Sequence, residues 1–320
     1  MAAEKIKACM NEDDTNFYVW NDFTNYGENE LRTLIDHYDM GGIDQIMFCV
    51  NAKCTSYASA VHEMYGSKTC KAYETDSGCR KLFDNVRGFA NAGINPYKVW
   101  LAESRKRGIS PWISVRMNDI HEPFDEDHFL HSEFWRNHPE LRRIQHRPAY
   151  GWTDKSLDFC HEEVREYMMA LITEVLEIFD LDGIEVDWMR FYHHFAPGRE
   201  EEGRQITLEM HRRIRQLADA AAERLGHPVG VAIRVPATPE HAWELGFDVP
   251  TLSREHLVDI VIPTAFFTTT DTGMPISLWR AILAPETRLY AGIEICVKAG
   301  MHNAHALRTT PSIVRSQCAS

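Results

Sequence analysis

Apolar residues in this chain follow two rhythms. Short, almost unbroken apolar runs predict strands at Ile6–Met10, Ile43–Val50, Ile109–Val115, Gly183–Val186, Val229–Val235, Asp259–Pro263 and Arg288–Ile295. Between most of them, apolar positions return at helical spacing, predicting helices over Glu30–Tyr38, Pro96–Arg107, Glu162–Phe179, Glu200–Leu225 and Ile276–Leu283. Val164, Tyr167, Met168, Leu171, Ile172, Val175 and Ile178 form one such stripe, with Glu and Arg between them. The Glu200 helix meets Gly226 and then His227-Pro228, a stop signal followed by a strand. Alternating short strands and helices imply a parallel sheet, and right-handed crossovers roll such a sheet into a barrel. The expected fold class is α/β, a (β/α)₈ TIM barrel making one domain over residues 1–320.

The strand count stops at seven, while Thr310-Pro311 looks like the start of another helix. Either the barrel lacks its last strand, or one strand is misplaced, or the natural protein is longer. Two connections, 51–95 and 117–160, are long, and both follow strands. In a barrel both therefore lie on the face where substrates bind. The second holds Trp135, Tyr150 and Trp152, residues suited to stacking a sugar or capping a pocket.

One stretch carries chemistry as well as structure. The helix ending at Phe179 runs into Asp180-Leu-Asp-Gly-Ile-Glu-Val-Asp-Trp-Met-Arg-Phe191, a short apolar strand set among acids. Charges at the end of a buried strand are costly unless a site uses them. Glu185 and Asp187 are expected on opposite faces of that strand, which weakens them as a catalytic pair. Asn11-Glu12-Asp13-Asp14 follows the first strand, and crowded carboxylates of this kind raise the pKa of a partly buried member. Arg116, the first polar residue after the third strand, is placed to grip a carboxylate. Asn118, Asp119 and His121 come directly behind it, and His121 is suited to proton exchange. Arg190 and Arg234 also stand at strand ends. Arginines converging on one mouth suggest an anionic ligand, unless each merely pairs with a barrel acid.

Composition narrows the field further. A net charge of -13 argues against a general nucleic-acid or anionic-membrane surface. No apolar stretch reaches the ~20 residues of a membrane span. The start, Met-Ala-Ala-Glu-Lys-Ile-Lys, lacks a signal-peptide core, so a cytoplasmic location is expected. The cysteines accordingly read as free thiols, with Cys54, Cys70 and Cys79 sharing one irregular segment. His193-His194, the only adjacent histidine pair, reads as surface-exposed. Phosphate-loop, nucleophile-elbow and zinc-helix motifs are absent from the sequence, so neither cofactor nor metal is expected.

Leu157-Asp-Phe159, Glu163-Val-Arg165, Asp182–Phe191, Ile233–Pro239 and Val258–Pro263 together resemble glycoside-hydrolase-like βα-barrel proteins over most of residues 5–295. Within that group the chain most resembles glycoside hydrolase family 156, inverting exo-sialidases on a (β/α)₈ barrel. That family has an aspartate after the first strand, a histidine after the third and arginines on the sialic acid carboxylate. The resemblance implies Asp13 or Asp14, with Asp13 favoured, and His121 as the catalytic groups, the aspartate as acid and His121 as base. It implies Arg116 and Arg190 on the substrate carboxylate; Asn118 and Arg234, from their strand-end positions, are further expected substrate-binding residues, and Asp187 is expected to bind or to orient Arg116 or Arg190. The family's late asparagine falls in a region this chain does not reach. The expected partner is a sialylated glycan or other anionic sugar, with a homodimer as the oligomer considered. Two other readings stay open: a glycosidase for neutral sugars using Glu185 or Asp187, and a non-catalytic carbohydrate-binding barrel.

Overall fold

The computed structural model describes residues 8–68, 70–146, 148–265 and 273–294, with 296–298, 306–308, 310, 312 and 314. Seven strands form one sheet in sequence order: β1 (Cys9–Glu12), β2 (Gln45–Cys49), β3 (Ser110–Arg116), β4 (Gly183–Asp187), β5 (Gly230–Pro236), β6 (Ile260–Thr264) and β7 (Arg288–Leu289). Every neighbouring pair is parallel. Among the described residues, the sheet is the curled sheet of a TIM barrel with one strand fewer. A separate antiparallel pair, β8 (Cys296–Lys298) and β9 (Ala306–Arg308), follows it.

The helices are α1 (Asn16–Trp20), α2 (Glu28–Met40), α3 (Ala72–Thr75), α4 (Ser77–Asn91), α5 (Pro96–Lys106), α6 (Glu133–Asn137), α7 (Glu162–Ile178), α8 (Glu200–Leu225), α9 (Pro239–Glu244), α10 (Val249–Arg254) and α11 (Ile276–Ile282). All five expected helices are present, within a few residues at their ends. Helix α8 stops on Gly226 at φ 75°, a left-handed turn that glycine adopts without strain.

Three expectations need correction. The first strand runs through Asn11 and Glu12 instead of ending before them, and the part of it expected before Ala8 lies outside the described residues. The last strand is shorter than expected because only Arg288 and Leu289 pair fully with β6. The connection 51–95 is not mainly loop, since α3 and α4 occupy much of it. Asp76 caps α4 by accepting from the N–H groups of Gly78 and Cys79 at 2.7 and 3.0 Å. The expected helix start at Thr310 falls mostly outside the described residues, although Val314 N–H bonds the Thr310 carbonyl at 3.0 Å. Among the described residues, no helix is long and apolar enough to cross a membrane.

Alternation along the strands divides the core in two. Ile46, Phe48, Ile113, Val115, Ile184, Val186, Ile233 and Val261 face outward and pack in the main cluster, which also takes in α7 and α8. Met47, Trp112, Ala232, Ile260 and Ile262 face inward and fill the lower barrel. Trp112 fits there because Gly183 and Gly230 lie beside it. A Cβ on either would come within 2.3 or 2.5 Å of its ring. Above this apolar plug the inward positions turn polar, and the site begins there.

Candidate active site

Register brings three expected residues into one row. Arg116 of β3 pairs with Asp187 of β4, which pairs with Arg234 of β5. All three side chains are inward, and they alternate in charge. Arg234 Nη1 donates to Asp187 Oδ2 at 3.1 Å, and its Nη2 donates to Glu294 Oε1 at 2.8 Å. The other Asp187 oxygen accepts from the backbone N–H groups of Met189 and Arg190, at 2.9 and 3.0 Å. Asp187 therefore orients Arg234 and the backbone of Arg190, not the Arg116 or Arg190 side chain.

Arg116 faces the other way around the barrel. Its Nη2 donates to Asp13 Oδ2 at 2.6 Å, and its Nη1 donates to Asp14 Oδ1 and Asp119 Oδ2, at 3.0 and 3.2 Å. Its backbone is pinned by Asn51, whose amide accepts from Arg116 N–H and donates to its carbonyl, both at 3.0 Å. Only about 6% of the Arg116 side chain is exposed, so it organises carboxylates from inside.

The aspartates beside it have opposite fates. Burial opposes ionisation of Asp13, yet the charge and hydrogen bond of Arg116, Thr15 N–H and Arg190 hold its carboxyl well below the usual range. Burial pushes Asp14 up to about 7 against the pull of Arg116, with repulsion from Asp13 and Asp119 helping. Burial also pushes Glu12 up to about 7, opposed by its hydrogen bond from Tyr38. The crowding expected to raise a carboxylate here thus acts on Glu12 and Asp14. Asp13, the favoured acid, is an anion with no proton to give.

Asp14 is buried, bonded by Tyr65 Oη at 3.1 Å as well as by Arg116. Asp13 is the accessible one, with 26% of its side chain exposed.

His121 sits between two of the expected partners. Its Nδ1 lies 2.5 Å from Asp119 Oδ1, and its Nε2 lies 3.0 Å from Arg190 Nη2. Arginine only donates, so Nε2 is the acceptor and Nδ1 carries the hydrogen that Asp119 receives. Burial opposes ionisation of Asp119, but His121, Arg116 and Arg190 hold it well below the usual range. Burial lowers Arg190, with Arg116 adding repulsion. About a quarter of the His121 side chain is exposed, and 15% of Arg190.

Phe191 lies edge-on to His121, with ring centroids 5.2 Å apart, and adopts φ 62°, a costly conformation for a bulky residue. Trp152 stacks on Phe191 at 6.0 Å and 13°, and is 42% exposed. Tyr150 is exposed as well. Trp135, grouped with them in the sequence, is instead fully buried between Arg142 and His131. Asn118 engages the Leu157 backbone at 2.7 and 2.9 Å, closing the long loop after β3. His194 is not on the surface: it is fully buried, its Nε2 2.7 Å from the Trp188 carbonyl.

Glu185 and Asp187 are two residues apart, so they share the inward face; the expectation of opposite faces is overturned. Glu185 accepts from Asn11 Nδ2 at 2.6 Å across the barrel. Burial and then the charge of Asp187 push it up to about 7. It is almost fully buried, below the mouth. Sequence reasoning gave no role to Asn51 or Glu294. Asn51, the second residue after an apolar strand, carries nearly the signal that singled out Arg116; Glu294 has no such mark.

No family model matches the chain, and neither does any curated protein. Solved structures do. The glycoside hydrolase domain of PgaB (BpsB) from Bordetella bronchiseptica aligns at TM-score 0.57 with 10% identity, covering 98% of this chain and 90% of that one. What the two share is the fold, a TIM barrel. Looser matches include the maltogenic alpha-amylase AmyB from Thermotoga neapolitana, at TM-score 0.42, 13% identity and 80% of this chain. The galactosidase domain of AgaSK matches at TM-score 0.48, 14% identity and 96% of this chain. This chain spans 49% of the amylase and 36% of the AgaSK chain.

Proposed function

We propose that the chain hydrolyses glycosidic bonds as an inverting exo-sialidase, releasing terminal sialic acid from glycans. The reading rests on one observation: the partly exposed Asp13, His121 and Arg190 share a single network through Arg116 and Asp119. An inverting reaction needs one group to activate water and another to protonate the leaving oxygen. Asp13, held as an anion, suits the first task. His121, oriented by Asp119, suits the second. Arg190 donates to His121 Nε2 at 3.0 Å. Drawn onto a substrate carboxylate, Arg190 leaves Nε2 to take a proton from solvent and deliver it to the glycosidic oxygen, while Asp13 takes the proton of the attacking water. These roles reverse those the resemblance implied, because the charge and hydrogen bond of Arg116 stabilise Asp13 as the carboxylate. Trp152, stacked on the buried Phe191 that packs against His121, offers an exposed apolar face for the sugar.

A glycosidase for neutral sugars is the second reading. It is favoured by the pairing of Arg116 with three carboxylates and Arg234 with two, which offsets the positive charge an anionic substrate would meet.

The test is hydrolysis of an aryl α-sialoside alongside neutral aryl glycosides, with the released sugar followed by proton NMR. Early β-anomer of sialic acid supports the first reading. Turnover of neutral glycosides alone selects the second. A thermal shift with free sialic acid but no product from any substrate points instead to a sugar-binding barrel.

A further inference from the structure

The connection between β2 and α5 contains two thiols that approach one another. Cys70 Sγ and Cys79 Sγ lie 3.6 Å apart, nine residues apart in sequence. Cys79 sits in the first turn of α4, fully buried, with its backbone N–H fixed by Asp76 at 3.0 Å. Cys70 is half-buried in the chain just before α3. A disulfide needs about 2.05 Å between sulfurs, so closure asks for roughly 1.5 Å of movement.

The surrounding chain is already folded back on α4. Arg87 of α4 donates to the Gly66 carbonyl at 2.5 Å and lies over the rings of Tyr73 and Phe83. Just before Gly66, Tyr65 reaches the site and bonds Asp14 at 3.1 Å. A covalent link between Cys70 and α4 would therefore fix the segment that carries Tyr65.

We propose that Cys70 and Cys79 form a disulfide by exchange with a small disulfide such as oxidised glutathione, stapling the β2–α5 connection to α4. The more exposed Cys70 thiolate attacks a glutathione sulfur, which breaks the glutathione S–S bond and releases one glutathione thiolate. Cys79 then attacks Cys70 Sγ and expels the second. The two protein thiols lose two electrons, glutathione disulfide gains them, and the two thiol protons leave on the two glutathione molecules. Burial and the neighbouring Cys70 hold the Cys79 thiol above its usual value, so Cys79 is the second attacker.

The test uses the full chain, reduced and then equilibrated with oxidised glutathione. Peptide mapping by mass spectrometry should recover a Cys70–Cys79 crosslink, and the oxidised protein should melt roughly 5 °C above the reduced one. Cys70→Ser, at the half-buried position, should abolish both crosslink and shift while melting like the reduced protein. Cys79→Ser should abolish the crosslink if it folds. A stable glutathione adduct on Cys70, a crosslink to Cys54, or equal melting of both redox forms would overturn the proposal.

Discussion

His121 Nε2 accepts from Arg190 Nη2 at 3.0 Å while Nδ1 faces Asp119 at 2.5 Å. Two fixed neighbours leave the imidazole one tautomer. Asp119→Asn presents an amide that can donate to Nδ1 and so favours the other tautomer. We expect kcat to fall on the order of 10²–10⁴-fold with KM little changed. A variant that keeps its melting temperature and its kcat would remove Asp119 from the mechanism.

Asp13 is ionised because Arg116 and Thr15 surround it with donors. In Asp13→Asn, Arg116 keeps Asp14 and Asp119 as partners, so the fold should survive. If Asp13 activates water as proposed, its loss should lower kcat by about 10²–10⁴-fold. Single-turnover rates together with circular dichroism check this. Full activity in a folded variant would transfer the role to another carboxylate.

Arg190 separates the two substrate readings better than Arg116. Arg190→Ala should cost a carboxylate-bearing substrate about 10–100-fold in kcat/KM, as the loss of a charged hydrogen bond to a ligand does. A neutral aryl glycoside should lose less than about twofold. Equal losses on both substrates would mean that Arg190 serves His121 and not the ligand.

Arg116 is a structural test instead. It lies buried among three carboxylates, and Arg116→Met leaves Asp13 without its main counter-charge and Asp119 without one of its cationic partners. Removing one partner of such a network costs about 3–5 kcal/mol. Urea titration measures it, and a change below about 1 kcal/mol would contradict the arrangement described.

Glu185 supplies a pH dependence of stability. Burial and Asp187 raise its carboxyl to about 7, so the folded chain holds a proton that the unfolded chain releases near its ordinary value of about 4.3. Its contribution is therefore complete below about pH 4 and is lost as pH rises through about 7. Glu185→Gln can still accept from Asn11 and carries no charge to bury. The variant should exceed the wild type by on the order of 2 kcal/mol at pH 8 and match it near pH 4. Melting curves across that range decide it, and a gap that widens toward low pH would contradict the assignment.

The strands were legible because both faces of a parallel barrel strand are covered, which forces near-continuous apolar runs such as Ile46–Val50 and Ile260–Pro263. Helix α4 was equally legible and passed over: Cys79, Leu82, Phe83, Val86 and Phe89 stand at helical spacing behind the capping Asp76. Residue type and position at a strand end likewise singled out Arg116, His121, Arg190 and Arg234. What those groups do was not legible. Asp13 and Asp14 are adjacent in the chain, yet one is held as an anion and the other pushed toward neutrality. Burial, with repulsion from Asp13 and Asp119, raises Asp14, while Arg116, over 100 positions away, together with Thr15 and Arg190 holds Asp13 down. Secondary structure follows local periodicity, which the sequence carries by itself. Protonation and pairing follow charge, burial and distance through space, and only the folded barrel sets those.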